Sequence, residues 1–157
     1  MTDEDLMRRA IALSVEAAAR PGCEPFGAVV ARDGAILGEG YNRSAESLDP
    51  TSHGETEAIR DACRRLGTLD LSGATVFTST EPCPLCVSTM KLTGIARVVY
   101  AASLDDSSDT LGRPRNRIEI LRHEAGQAIG AASIPAAQLL RAEAVAVLRD
   151  AAARGKR

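Results

Sequence analysis

Two short stretches decide the fold of this chain: Ser52-His53-Gly54-Glu55 and Glu81-Pro82-Cys83-Pro84-Leu85-Cys86. The first has the form His-x-Glu and the second the form Pro-Cys-x-x-Cys, so together they offer one imidazole and two thiols. Such donors suit zinc, and a catalytic zinc typically keeps three protein ligands and leaves its fourth position for water. We therefore predict that His53, Cys83 and Cys86 hold Zn²⁺.

Glu55 lies two residues after the histidine, where a carboxylate is a candidate proton carrier beside such a water. A structural interpretation competes with this one, because Ser52-x-x-Glu55 also has the spacing of a capping box. The cysteine pair has an alternative as well, since Cys-Pro-x-Cys is a spacing typical of redox pairs. A redox pair needs no His-x-Glu upstream, so the joint pattern favours zinc and a catalytic Glu55.

Both stretches are predicted to begin a helix. One helix runs from Ser52 to about Leu66, and another runs from Cys83 to Gly94 with Pro84 at its first position, where a missing N–H does no harm. Cys83 and Cys86 are three residues apart and share one face of the first turn. Because the positive end of a helix favours thiolate, the form of cysteine that binds metal, this placement suits metal ligands.

Strands and helices alternate around these motifs. Residues 3 to about 20 have helical periodicity, and Asp33-Gly34 between two apolar runs indicates a hairpin. The order strand, helix, strand, helix in the later part predicts parallel pairing there. We therefore predict an α/β fold, a three-layer α/β/α sandwich with a mixed central sheet. The predicted strands are Phe26–Ala31, Ala35–Tyr41, Ala74–Thr80 and Arg97–Ala102, and the buried face of the first helix is Leu6, Ala10, Leu13 and Ala17.

The tail is harder to interpret. Ser103–Arg117 is polar with one glycine and one proline and is predicted to be a long loop, while residues 127–135 stay open. Ile118 to about Ala125 is predicted to be a short helix, and Ala136–Ala153 a longer one whose apolar side includes Leu139 and Leu148. We expect one domain over residues 1–157, with a core of about 3–102 and a helical segment of about 118–154.

Composition narrows the classes of function. The net charge of −2 lacks the basic balance of a nucleic-acid-binding protein, so such a partner is not expected. A local cluster, Arg113, Arg115, Arg117 and Arg122, is interpreted as a solvated surface. No apolar run reaches the ~20 residues of a membrane span, and the acidic N-terminus is unlike a secretory signal, so a cytoplasmic location is expected. Cys63 is predicted to be a small core residue and His123 a surface residue, while Cys23 has no partner spacing.

The chain resembles the cytidine deaminase superfamily, and within it bacterial guanine deaminase and related nucleobase deaminases. His-x-Glu followed by Pro-Cys-x-x-Cys is the specific signature of the zinc deaminases. The resemblance covers about Pro25 to Ala102, half of the chain. The matching residues outside the metal motifs are Pro25-Phe26-Gly27-Ala28, Tyr41-Asn42, Asp49-Pro50-Thr51, Glu57-Ala58-Ile59-Arg60, Thr78-Ser79 and Val99-Tyr100-Ala101-Ala102.

This resemblance implies roles for individual residues. The three ligands would hold zinc, Glu55 would shuttle protons, Phe26 would pack on a flat base and Asn42 would hydrogen-bond it. The backbone N–H of Gly54 would face the base. The resemblance also implies a homodimer with the C-terminal segment at or near the pocket. The expected activity is hydrolytic release of ammonia from a free nucleobase, with guanine favoured.

Two departures from the family bear on the substrate. Gly54 stands where the family usually has alanine, and we interpret it as leaving more room beside the base. Guanine deaminases of this type carry aromatic and acidic residues in the tail, yet no aromatic residue follows Tyr100. Of the tail acids, Asp109 is the first candidate for a substrate contact. Cytosine, nucleoside or triazine deamination, tRNA adenosine deamination and a non-catalytic zinc-stabilised binding module remain the alternatives.

Overall fold

A computed structural model describes residues 1–114, 116–127 and 134–153, and of Asp150 and Ala153 it describes the backbone alone. The chain divides into two compact units, Met1–Leu121 and Arg122–Arg157. The single domain over 1–157 stays a prediction. The elements in chain order are α1 Asp3–Ala18, β1 Gly27–Arg32, β2 Ala35–Tyr41, α2 Ser44–Ser47, α3 Gly54–Leu66, β3 Thr75–Thr80, α4 Pro84–Leu92, β4 Arg97–Ala102, α5 Leu104–Leu111, α6 Asn116–Ala125 and α7 Arg141–Ala153.

The four strands form one mixed sheet in the order β2-β1-β3-β4. β1 pairs antiparallel with both β2 and β3, and β3 pairs parallel with β4. The hairpin turn uses Asp33 and Gly34, whose φ angles of 51° and 75° suit a tight two-residue turn. The predicted mixed sheet, with an N-terminal hairpin and parallel later strands, is confirmed.

Helices cover both faces of this sheet and give the predicted three layers. On one face, α1 buries Leu6, Ala10 and Leu13 against Val29, Ala31 and Phe77. On the other face, α3 and α4 pack on the opposite side chains of the same strands. That second cluster is Ala28, Val30, Ala58, Ile59, Ala62, Leu71, Ala74, Val76, Cys86, Met90 and Ile95.

Glycines in β2 let α3 lie directly on the sheet. A Cβ added at Gly40 would lie 2.3 Å from the backbone nitrogen of Ala58, and one at Gly38 would lie 2.4 Å from that of Ala62. A larger side chain at either position would push the helix outward. The close approach therefore fixes where the first turn of α3, next to His53, meets the sheet.

The predicted loop over Ser103–Arg117 is wrong, because α5 lies within it. The Ser103 hydroxyl accepts a hydrogen bond from the backbone N–H of Asp106, and the Asp106 carboxylate accepts one from the N–H of Ser103. This reciprocal cap begins the helix, and Gly112 ends it with a φ of 63°. The polar composition concealed a short helix with one buried edge. A single helical turn, α2, lies between β2 and α3.

The last predicted helix is too long at its start. It begins at Arg141 instead of Ala136, and Leu140 before it has a left-handed φ of 54° that is incompatible with a continuing helix. Leu139 and Leu148, predicted to form an apolar side, are 83% and 69% exposed. The predicted helix at Ile118 is confirmed as α6 and starts two residues earlier. Residues 128–133, left open above, lie outside the described part. No helix in the described ranges is long and apolar enough to cross a membrane.

Candidate active site

One histidine and two cysteines converge where α3 and α4 begin. His53 is the N-cap of α3, Cys83 is the N-cap of α4, and Cys86 lies in the first turn of α4. The Nδ1 atom of His53 lies 3.5 Å from each Sγ atom, and the two Sγ atoms lie 3.7 Å apart. Tetrahedral ligands about 2.3 Å (sulfur) and 2.0 Å (nitrogen) from zinc would lie ~3.5–3.8 Å from each other. The three side chains therefore fit a zinc ion.

A network of hydrogen bonds fixes the backbone at His53. Its N–H donates to the hydroxyl of Thr56, and that hydroxyl in turn contacts the carbonyl of Thr51. The Ser52 hydroxyl donates to Glu57 at 2.8 Å. Thus Thr56, and not Glu55, closes the start of the helix. The competing interpretation of Ser52-x-x-Glu55 as a capping box is wrong.

Glu55 instead points into the interior beside the thiols. Glu55 is only 6% exposed. Its Oε1 atom lies 3.3 Å from the Thr78 hydroxyl, and its Oε2 atom lies 3.5 Å from the sulfur of Cys86. Burial raises the pKa of Glu55, and the negative charge of Cys83 raises it further. In the metal-free protein this carboxyl accordingly holds a proton to a higher pH than an exposed glutamate does.

The thiols are prepared for metal binding. A hydrogen bond from Cys86, followed by one from His53, lowers the pKa of Cys83 to about 4. The interaction with Cys83 raises the pKa of His53 and also raises the pKa of Cys86. The lowered pKa favours a thiolate at Cys83, next to the imidazole. Thiolate is the form that coordinates zinc.

A cavity of about 350 Å³ opens on this cluster. The wall formed by residues around the ligands is called the metal wall. The wall formed by residues of α5 and the start of α6 is called the tail wall. The volume is at the lower end of the range for small-molecule sites. The first wall includes Phe26, Asn42, His53, Glu55, Thr80, Glu81 and Cys83, and the second includes Leu104, Ser107, Ser108, Arg113, Pro114, Arg117, Ile118 and Leu121.

Phe26 and Asn42, two of the residues that the resemblance implied for substrate binding, both line the cavity. The backbone N–H of Asn42 donates to the carbonyl of Phe26 at 2.8 Å, so the two residues are held side by side. Asn42 is 1% exposed, and its Oδ1 accepts from the N–H of Ser44. Its amide is thus oriented by the protein before any ligand arrives.

Gly54 and Asp109 are the other two residues predicted to contact the substrate. A Cβ added at Gly54 would lie 2.9 Å from the carbonyl oxygen of Phe26, so the missing methyl group faces backbone at the start of β1. The glycine therefore serves close packing, and the interpretation that it leaves room beside a base stays a prediction. Asp109 is exposed on α5, whereas Ser107 and Ser108 of that helix face the cavity.

Sequence reasoning missed the second wall of the cavity. Arg113 and Arg117, interpreted as solvated, line it together with Leu104 and Ser108. The pattern Ser103-x-x-Asp106 could have revealed the start of α5. Outside the cavity lining, His123 is exposed as predicted, and Cys63 is half-buried and packs against the core. The sulfur of Cys23 lies 3.8 Å from a carboxylate oxygen of Glu46.

This fold and site define a zinc-dependent hydrolytic deaminase, and comparison with known proteins agrees. Residues 1–102 match the family described as the cytidine and deoxycytidylate deaminase zinc-binding region. The chain belongs to this family.

Several relatives show how the resemblance is distributed. Guanine deaminase of Bacillus subtilis is 40% identical over 109 residues, which are 69% of this chain and 70% of that protein. The X-ray structure of guanine deaminase from Bacillus subtilis has a TM-score of 0.84 at 33% identity and covers 96% of this chain and 93% of that one. A structure of guanine deaminase from Nitrosomonas europaea has a TM-score of 0.65 at 28% identity, with 95% and 84% covered. A tRNA-specific adenosine deaminase of Aquifex aeolicus is 38% identical over 78 residues, 50% of this chain and 52% of that protein.

Proposed function

We propose that this protein releases ammonia by hydrolysis from a free nucleobase of the guanine type. The observation that carries the proposal is the extent of the structural agreement with guanine deaminase from Bacillus subtilis, which covers 96% of this chain and so includes the tail. The structural agreement with a tRNA:A34 deaminase covers 64% of this chain, with a TM-score of 0.61. The small cavity beside Glu55 suits a single heterocycle.

His53, Cys83 and Cys86 would hold zinc, which when bound supplies a Lewis acid that activates water at neutral pH. Glu55 takes a proton at its carboxylate, delivers it to the ring nitrogen, and carries a second proton to the departing amine. Contacts with Thr78 and Cys86 hold this carboxyl in place between the two transfers. The substrate gains one oxygen at the carbon that loses the amino group, and ammonia leaves.

Phe26 and Asn42 would orient the heterocycle. The ring of Phe26 offers an apolar face to a flat base, and the oriented amide of Asn42 offers a polar contact at its edge. The absence of a Cβ at Gly54 lets the start of α3 pack closely on the backbone of Phe26. Asp109 has no part in the proposal because it is exposed on α5.

An ammonia-release screen tests the reaction and its substrate. Guanine, cytosine, adenine, their nucleosides and aminotriazines are compared with zinc-loaded protein, together with Glu55→Gln. We expect guanine to react fastest among the uncharged bases and the variant to keep its zinc while losing ~10²–10⁴-fold in rate. Glu16→Gln, at a surface carboxylate that pairs with Arg9, is the matched control and should be unchanged. Near-normal turnover by Glu55→Gln would refute the role of Glu55.

The tRNA alternative has its own test. Tight, salt-sensitive binding of tRNA together with inosine formation would replace the proposed substrate. The chain is acidic overall, with a net charge of −2, so we expect neither result.

The homodimer implied by the family resemblance is also a proposal, with the C-terminal segment at or near the pocket. Apolar side chains exposed in the tail, such as Leu140 at 61% and Val147 at 68%, support a further contact for this segment. Sedimentation equilibrium of the full chain measures the assembly. A monomer at micromolar concentration would contradict it.

A further inference from the structure

The cavity wall contributed by the tail is cationic. Arg113 and Arg117 both line it, and the guanidinium of Arg113 lies 5.5 Å from the ring centre of Phe26. Arg113 also forms an ion pair with Glu24. Arg117 forms no ion pair with any residue in the described ranges. One of the two guanidinium groups therefore faces the cavity without a protein counter-charge in the part of the chain described.

The carboxylates around the cavity are already engaged elsewhere. Glu24 is held by Arg113, and Glu81 accepts a hydrogen bond from the backbone N–H of Leu104 at 3.2 Å. Glu55 lies on the metal side, bonded to Thr78 and Cys86. On the wall formed by α5 and the start of α6, the charged side chains are thus the guanidinium groups of Arg113 and Arg117.

Two like charges lie close together in this wall. Burial, and then the nearby charge of Arg117, lower the pKa of Arg113. Arg117 also lies in the first turn of α6, at the positive end of that helix, where a cation is disfavoured and an anion is favoured. A solvated surface position would account for Arg117 alone. It would not account for Arg113, whose half-buried guanidinium lies over the ring of Phe26.

We propose that the substrate is an amino-heterocycle that carries an anionic group, a carboxylate or a phosphate, and that Arg117, with Arg113, binds this anion while the ring lies against Phe26. The inference rests on the proposed deamination and changes its substrate from an uncharged free base to an anionic amino-heterocycle. Guanidinium groups bind both anions through paired N–H donors. Amino-heterocycles with such a group then react faster than their uncharged counterparts.

Matched substrates test this inference and separate the two anions. Ammonia release is compared between cytosine and 5-carboxycytosine, and between guanosine and guanosine 5′-monophosphate. We expect kcat/KM to be at least about tenfold higher for the charged member of one pair. Preference within the first pair identifies carboxylate, and preference within the second identifies phosphate. Equal or slower reaction of the charged member in both pairs would overturn the proposal.

Variants of the wall give an independent measurement. Arg117→Gln should lower kcat/KM for the charged substrate ~10- to 100-fold and leave its uncharged partner within about twofold. Arg122→Gln, on the same helix but outside the cavity lining, is the matched control. An equal loss on both members of a pair would indicate a structural effect and refute the assignment.

Binding measurements keep this inference distinct from the proposed reaction. If no compound releases ammonia, the proposed function fails. Calorimetry with the same two pairs still tests whether Arg117 and Arg113 bind an anion. Tighter binding of a charged member, lost in Arg117→Gln and kept in Arg122→Gln, would support the anion site. Equal binding of both members of each pair would overturn it.

Discussion

The two walls of the cavity are built on different principles. The metal wall consists of buried and half-buried residues: Glu55 is 6% exposed, Cys86 next to it is 0% exposed, and the two side chains contact each other. The tail wall is more open, and its polar groups include an exposed arginine. The rigid wall suits chemistry that all substrates share, whereas the open wall suits recognition of one substrate.

The walls also differ in how the chain forms them. The metal wall joins the N-termini of α3 and α4, and sheet packing fixes both helices from below. The tail wall depends on α5 and the first turn of α6, which are short helices with few buried residues. Changes in the metal wall should therefore abolish activity, while changes in the tail wall should alter substrate choice.

The largest effect is expected from removing a ligand. Cys86→Ala leaves two zinc ligands and a void beside Glu55, so we expect loss of bound zinc and of more than ~10³-fold in activity. Zinc content by elemental analysis and ammonia release measure both. Cys23→Ser is the control, because Cys23 lies outside the ligand cluster and should keep one zinc per chain. Full zinc occupancy in Cys86→Ala would show that Cys86 is not a required zinc ligand.

A smaller effect is expected at Thr78. Its hydroxyl lies 3.3 Å from Oε1 of Glu55 and 3.0 Å from the carbonyl oxygen of Thr80, and Thr78→Val keeps the shape while removing both contacts. We expect kcat to fall by about tenfold, with KM and zinc content unchanged, because the proton carrier Glu55 loses an orienting contact. Thr75→Val, on the same strand but bonded to Arg97, serves as the comparison. An effect on KM alone would place Thr78 in substrate binding instead.

The metal wall could be predicted from the sequence because its parts are short motifs with fixed spacing. His-x-Glu and Pro-Cys-x-x-Cys each place their side chains within one turn of a helix, so local geometry alone brings them into order. The sheet order β2-β1-β3-β4 brings the two helix starts together. This order depends on the longer pattern of strands and helices and not on the motifs themselves.

The tail wall could not be predicted in the same way. Arg113 and Arg117 reach the cavity only because α5 turns the chain back, and α5 is polar enough to resemble a loop. Gly54 shows the same limit, because its missing Cβ faces the backbone of Phe26, a residue 28 positions earlier in a different element. Contacts between distant segments decide both features.

Gly54 lies where the metal wall meets β1 and should have an intermediate effect. In Gly54→Ala the new methyl group would lie 2.9 Å from the carbonyl oxygen of Phe26, so one of the two backbones must shift. Overpacking costs about 1–3 kcal/mol, offset in part by the better helix propensity of alanine. We expect a lower Tm by calorimetry and a raised KM with zinc retained. Gly126→Ala, where the nearest atom would be at 3.5 Å, should leave both unchanged.

The smallest effect is expected at the cap of α5. The Asp106 carboxylate accepts hydrogen bonds from the N–H and hydroxyl of Ser103, and these bonds lower its pKa from 3.8. The cap therefore stabilises α5 above pH 3.8, and this contribution is lost as the pH falls through the lower pKa of the folded state. Ser103→Ala should cost about 1 kcal/mol and raise KM more than it changes kcat, because Ser108 and Leu104 of the tail wall lie on this helix. Thr110→Ala, at an exposed position near the other end of α5, leaves the cap intact and is the control. A change in kcat with no change in KM would show that α5 serves the chemistry of the metal wall and not the recognition of substrate.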